Sequence, residues 1–166
     1  LRARYLAPLG DGRFAGTMAL TEPSQGSALG DIKTYAVPQA DGSYRVFGQK
    51  MFISGGEQDL TENIVHMVLA RIQGAPPGVK GISLFLVPKI LPGEHGAADT
   101  PNDVALAGLL HKMGWRNTTS TVLSFGEKGG AVGWLVGREH QGLSYMFQMM
   151  NEARIGVGVM SASIAW

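Results

Sequence analysis

Apolar residues along most of the chain come in short runs broken by turn-forming residues, a pattern that suits strands. Only beyond residue 141 do they recur at three- and four-residue spacings. Residues 32–38 (Ile-Lys-Thr-Tyr-Ala-Val-Pro) and 44–53 (Tyr-Arg-Val-Phe-Gly-Gln-Lys-Met-Phe-Ile) are rich in β-formers, and Asp41-Gly42 between them suits the left-handed backbone of a hairpin turn. Residues 63–72 and 81–87 are nearly continuous apolar runs. They read as buried strands, joined by a loop whose Pro76 and Pro77 cannot sit in a central strand. Residues 91–103 read as loop by composition, followed by strands at 104–110, 118–125 and 132–136. From Gln141 onward Leu143, Met146, Phe147, Met150, Arg154 and Val157 mark one face of a helix.

Strands separated by turns, with no helices between them, predict a mainly β fold: an antiparallel β-barrel or sandwich followed by a truncated C-terminal helix. Three segments result, with residues 1–15 the tail of a preceding element, 16–137 the β-domain and 138–166 the start of a helical domain. The chain opens on Leu1 rather than Met and stops at Ile164-Ala165-Trp166 inside an apolar, small-residue run, so we expect a piece of a longer protein.

Composition agrees and removes several function classes. The 166 residues include 24 glycines and only 16% charged residues, which favours many tight turns over a helical bundle. A net charge of +1, spread along the chain, offers no basic stripe for nucleic acid. Without cysteine there is neither a disulfide framework nor thiolate chemistry, and no stretch approaches the roughly 20 apolar residues of a membrane span. A cytoplasmic protein is expected.

His66, His95, His111 and His140 are too scattered for the paired spacing of a helical metal site, so no metal is expected. Ser54-Gly55-Gly56 lacks a nucleophile elbow, and the glycine-rich stretch 126–133 lacks the Gly-Lys-Ser/Thr ending of a phosphate loop and reads as a turn. The informative segment is Met18-Ala-Leu-Thr-Glu-Pro-Ser-Gln-Gly-Ser27. It can offer backbone N–H groups and short hydroxyls to a polar planar ring or a pyrophosphate; equally, Thr-Glu-Pro is a strand end and Gln-Gly-Ser a turn.

Several motifs in register resolve that choice. Ala-Leu-Thr-Glu-Pro-x-x-Gly-Ser, Asp41-Gly42-x-Tyr44 and Gly48-x-Lys50-x-Phe-Ile-Ser54-x-Gly56 resemble the middle domain of the acyl-CoA dehydrogenase family. Lys112-Met-Gly-Trp-Arg116, Val-Gly-Arg-Glu-His-Gln-Gly-Leu143 and Met-Met-Asn151-Glu-Ala-Arg154 resemble its continuation into the C-terminal helical domain, so the likeness covers roughly residues 16–166. Asp59 to Ile64 and Gly78 to Pro88 resemble the larger bacterial members, among them the 3-methylthiopropanoyl-CoA dehydrogenase-like group.

The resemblance implies an enzyme of fatty-acid metabolism that oxidises an acyl-CoA to a 2-enoyl-CoA with FAD as hydride acceptor. It also implies an electron-transfer flavoprotein as the next acceptor and a homo-oligomer at full length. By position, Met18, Leu20 and Thr21 would line the flavin's pyrimidine side, and Gly26 and Ser27 would approach pyrophosphate or CoA. Phe52, where many relatives have Trp, would pack on the isoalloxazine beside Ile53, and Ser54 would replace the usual Thr. Asn151 and Arg154 would face the CoA moiety, while Arg116 would brace a loop or an interface.

Ala28 stands where the family signature has Asp, and Gln25 replaces a small residue, which alters the pyrophosphate turn. Ala153 occupies the position where some relatives carry the base, and Glu152 lies on another helical face, so the catalytic base is expected beyond Trp166. The segment alone is expected to bind FAD weakly or not at all. An acyl-CoA oxidase shares the pattern, and a barrel that has lost its redox site is the non-enzymatic alternative.

Overall fold

A computed structural model of the chain describes residues 1–93 and 98–166; His95 and part of the expected 91–103 loop lie outside the described residues. A π-helical turn Arg2–Leu6 runs into the short helix α1 (Ala7–Gly10) and then strand β1 (Phe14–Ala19). The hairpin strands β2 (Tyr35–Pro38) and β3 (Tyr44–Ser54) come next, then β4 (Asn63–Ile72) and β5 (Ile82–Pro88). The chain continues through β6 (Ile90–Pro92), β7 (Ala98–Pro101), β8 (Val104–Leu109), β9 (Ser120–Phe125) and β10 (Ala131–Leu135) to the helix α2 (Gly142–Ala165).

Five strands close a ring: β4 pairs with β5, β5 with β10, β10 with β3, β3 with β2, and β2 with β4 again. β9 extends the wall from β3 and carries β8 at its edge. β1 and β2 share one edge of β4 in succession, both parallel to it, β1 as far as Ala19↔Val68 and β2 from Tyr35↔Arg71. The barrel is therefore mainly, but not wholly, antiparallel. Parallel neighbours need a long crossover, and here the β2–β3 hairpin lies between β1 and β4 in the chain.

The continuous apolar runs of β4 and β5 follow from burial on both faces. Inward, Val68, Ala70, Phe85 and Val87 meet Val46, Ile53, Leu123 and Phe125 in the barrel core. Outward, Leu69, Ile82 and Leu84 take Met146 of α2, while Val65 packs with Phe14 and Tyr5 of the N-terminal segment. Only the first part of α2 is docked. From Asn151 onward every residue is exposed, so the predicted apolar face is used at Leu143, Met146 and Met150, whereas Val157 is bare.

The expected loop at 91–103 is instead in part a two-stranded ribbon, β6 with β7. Its proline content hid the pairing. Buried Asn side chains anchor the ribbon at the end where Ile90 pairs with Pro101: Asn63 Nδ2 donates to the Ile90 carbonyl (2.7 Å) and its Oδ1 accepts from Ile90 N (2.9 Å), and Asn102 Nδ2 donates to Pro88 (2.8 Å) and Val132 (2.9 Å) carbonyls.

Candidate functional site

β3 carries one break in its alternation. Against β9, Lys50 pairs with Leu123 and Ile53 with Thr121, so three steps on one strand meet two on the other. Lys50 and Ile53 consequently both point inward, and Phe52 is turned outward at φ 60°, 61% exposed. A left-handed aromatic residue on an open surface is costly, a feature typical of sites that hold a ligand.

Opposite Phe52 runs the strand end of the Thr-Glu-Pro segment. After Ala19 the chain leaves β4, and Met51 N donates to the Thr21 carbonyl at 2.9 Å, so this end and the bulge lie side by side. Together with the first turns of α2 they form a shallow recess of about 180 Å³, lined by Met18, Leu20, Thr21, Met51, Phe52, Met146 and Met150. A second, more open apolar recess of about 420 Å³ continues along α2 between Met18, Met150, Ala153, Arg154 and Val157.

Behind this wall lies a buried ion pair. Lys50 Nζ sits 2.9 Å from Glu22 Oε1, and both side chains are almost wholly buried. Burial pulls the ammonium down to about 8 against the opposing effect of Glu22, which leaves it charged at neutral pH. Burial alone would raise Glu22. The Lys50 charge and the hydrogen bonds from Lys33 N and Thr34 Oγ1 outweigh it and hold the carboxyl below the usual range. Gly48, at φ 139°, admits this arrangement, because a Cβ there would lie 2.6 Å from Thr34 Oγ1.

The positions singled out in the sequence divide unevenly. Met18, Leu20, Thr21 and Phe52 share the recess. The Ile53 side chain does not: the bulge turns it into the core, 1% exposed, so at the surface it offers only main chain, and its carbonyl already accepts from Thr121 Oγ1 at 3.0 Å. Ser54 is exposed one step further along β3, opposite Ser120 of β9, and lines neither recess. Gly26 and Ser27 lie in a separate exposed bend beyond the Glu22↔Gln25 bridge, and a Cβ at Gly26 would meet nothing within 4 Å. Arg154 lines the second recess, whereas Asn151, three residues earlier, lines neither. Arg116 Nε donates to the Lys112 carbonyl (3.1 Å), bracing its own loop. Met51, Met146, Met150 and the ion pair were missed as site residues. Met146 and Met150 fell on the predicted helix face, but nothing in one sequence said that this face meets Thr21.

His66 is fully buried, its Nδ1 2.7 Å from Thr17 Oγ1 and its ring edge-on to Phe125 at 5.9 Å. Burial, with a smaller contribution from Lys89, holds the imidazole down to about 3 and thus neutral, a core histidine.

Known proteins of similar sequence and shape can now be set beside this geometry. Residues 17–128 match the family described as acyl-CoA dehydrogenase, middle domain. The chain is 50% identical over 164 residues to 3-methylmercaptopropionyl-CoA dehydrogenase of Ruegeria pomeroyi, a match covering 99% of this chain and 27% of that protein. A probable acyl-CoA dehydrogenase from Mycobacterium abscessus superposes with a TM-score of 0.72 at 28% identity, over 95% of this chain and 37% of the other. An acyl-CoA dehydrogenase complexed with FAD from Bacillus anthracis gives 0.71 at 27% identity, over 93% and 24%. The chain thus spans about a quarter of the length of the curated relative, and over that span it has the closed barrel and the following helix of the fold. By the matched residues and by its architecture, this chain belongs to the acyl-CoA dehydrogenase family, whose middle domain it contains.

Proposed function

We propose that this chain supplies the flavin-contacting wall of an FAD-dependent acyl-CoA dehydrogenase, and that the full-length protein oxidises an acyl-CoA thioester to the 2-enoyl-CoA. The observation that carries the reading is Phe52, held outward in a left-handed conformation beside the Thr21 strand end. A flat ring fits such a surface: an exposed aromatic face and Met18 provide apolar contact, and the Thr21 hydroxyl and main chain provide polar edges. When bound, FAD supplies the hydride-accepting chemistry.

The residues of this chain bind and orient. Phe52 packs on the ring, Thr21 and Leu20 meet its polar edge, and Ser54 follows two residues on along β3. Gly26 and Ser27 provide an open bend for pyrophosphate or CoA, and Arg154, with Asn151 nearby on α2, meets the CoA moiety. None of the residues lining the recess beside Phe52 carries a carboxylate or an imidazole, which supports a proton-abstracting base contributed by another segment of the full-length protein. The same reading divides the chain into residues 1–15, a barrel domain 16–137 and a helical segment from 138. It includes a homo-oligomer, an electron-transfer flavoprotein as acceptor and a cytoplasmic location. Among the described residues no helix is long and apolar enough to cross a membrane.

The test is anaerobic addition of saturated acyl-CoA thioesters, short to long, to the FAD-loaded full-length protein. Loss of the flavin's visible absorption with matching formation of 2-enoyl-CoA is expected. A bound flavin that no acyl-CoA bleaches would overturn the proposal.

A further inference from the structure

The barrel has a seam where its backbone ladder stops, and charge fills it. β1 leaves β4 at Ala19 and β2 joins it at Tyr35, so residues 20–34 depart from the wall between the two. At this point Lys50 Nζ donates to Glu22 Oε1 (2.9 Å) and to the Leu20 carbonyl (3.1 Å). Glu22 also accepts from Lys33 N (2.7 Å), Thr34 N (2.9 Å) and Thr34 Oγ1 (2.6 Å). Side-chain exposure is 0% for Lys50 and 4% for Glu22.

Burying two charges is expensive, and an apolar pair of similar volume commonly stabilises a fold as well or better. An apolar pair cannot hold a carbonyl oxygen and a carboxylate at fixed hydrogen-bonding distance. That difference matters here because of what lies beside the pair. Thr21 stands between the two points that Lys50 holds, the Leu20 carbonyl and the Glu22 carboxylate, and its own carbonyl is tied to Met51 N. Phe52 follows Lys50 by two residues, on the bulge. One ammonium group therefore couples both sides of the wall.

We propose that Lys50 and Glu22 are positioning residues, whose buried pairing sets the Thr21 main chain against Phe52 and thereby the affinity and environment of the flavin. The proposal rests on the flavin reading above. It distinguishes the pair from an ordinary core salt bridge, which would affect stability alone.

The experiment uses the FAD-loaded full-length enzyme with Lys50→Met, Glu22→Gln and the control Ile64→Val, a buried β4 position outside the seam contacts. Readouts are the FAD dissociation constant, the flavin visible spectrum, kcat and KM. Lys50→Met and Glu22→Gln should weaken FAD binding and lower kcat about tenfold or more, with a shifted flavin spectrum and KM within about threefold of wild type. Ile64→Val should lower thermal stability and leave affinity and spectrum unchanged. Should Lys50→Met fail to fold, Glu22→Gln keeps the side-chain shape, and Thr34→Val removes only the 2.6 Å hydroxyl contact, for which a smaller loss in the same direction is expected. Seam variants that lose stability but keep wild-type affinity and spectrum overturn the positioning role alone. A wild-type enzyme that binds no FAD overturns the flavin reading and this role with it.

Discussion

At Phe52 the backbone adopts φ 60°, which costs an L-residue with a bulky side chain about 1–2 kcal/mol, and the ring remains 61% exposed, so little burial offsets the cost. Asn tolerates this conformation. Phe52→Asn should therefore leave the stability of the chain within about 0.5 kcal/mol of wild type, or raise it, while FAD binding by the full-length enzyme falls. Denaturant unfolding together with FAD titration checks both halves, and a large stability loss would mean that the ring supports the fold. His66 makes a separate prediction. Its imidazole is neutral in the fold, at about 3, against roughly 6.5 in an unfolded chain. Between these values the unfolded state binds more protons, so its contribution is complete above about 6.5 and lost as pH falls toward 3, with a slope of up to about 1.4 kcal/mol per pH unit. Glu22, held below the usual carboxylate range, reinforces the loss only at lower pH. Unfolding free energies at pH 7 and 5 should show the first effect, and His66→Phe should flatten it. At this scale the sequence disclosed residue types but not directions. Phe52 was legible because its motif singles it out, whereas the inward turn of the Ile53 side chain was not, because a bulge adds one residue and reverses the strict alternation from which faces are read.

The strands themselves were legible wherever burial was one-sided or complete. The β2–β3 hairpin follows from Asp41-Gly42, and β4 and β5 follow from runs now seen to be covered on both faces. The β6–β7 ribbon was not, because the contacts that anchor it are remote in sequence, Asn63 holding Ile90 and Asn102 reaching Val132. The parallel pairing of β1 with β4 was hidden for a similar reason, since it requires knowing that the intervening hairpin completes the ring. Helix α2 shows how tertiary contact overrides periodicity. Its start is docked so closely that a Cβ on Gly142 would lie 2.4 Å from the Ser83 carbonyl carbon and 2.7 Å from Leu84 N. Gly142→Ala should push the helix off β5 and cost about 1–3 kcal/mol, measurable by denaturant unfolding. An unchanged midpoint would show that the helix start is not held against the sheet.

Across the whole molecule, three packing zones share two strands: the barrel core, the N-terminal segment on Val65 and the helix on Leu84. This arrangement brings Met146 and Met150 to the wall that β1 and β3 build, and it leaves the wall and the far half of α2 facing outward. The chain covers 27% of the Ruegeria relative, so in a protein of that length those surfaces are available to further segments of the same polypeptide or to another copy. The motifs could reveal the family and the elements that carry the wall, because they are local. The recess needed three dimensions, since it joins residues from 18 to 150. The most direct test of this account is an experimental structure of the FAD-loaded full-length protein. It should show the isoalloxazine against Phe52, with its polar edge at Leu20 and Thr21; a flavin bound elsewhere, with Phe52 and Thr21 in contact only with protein, would contradict it.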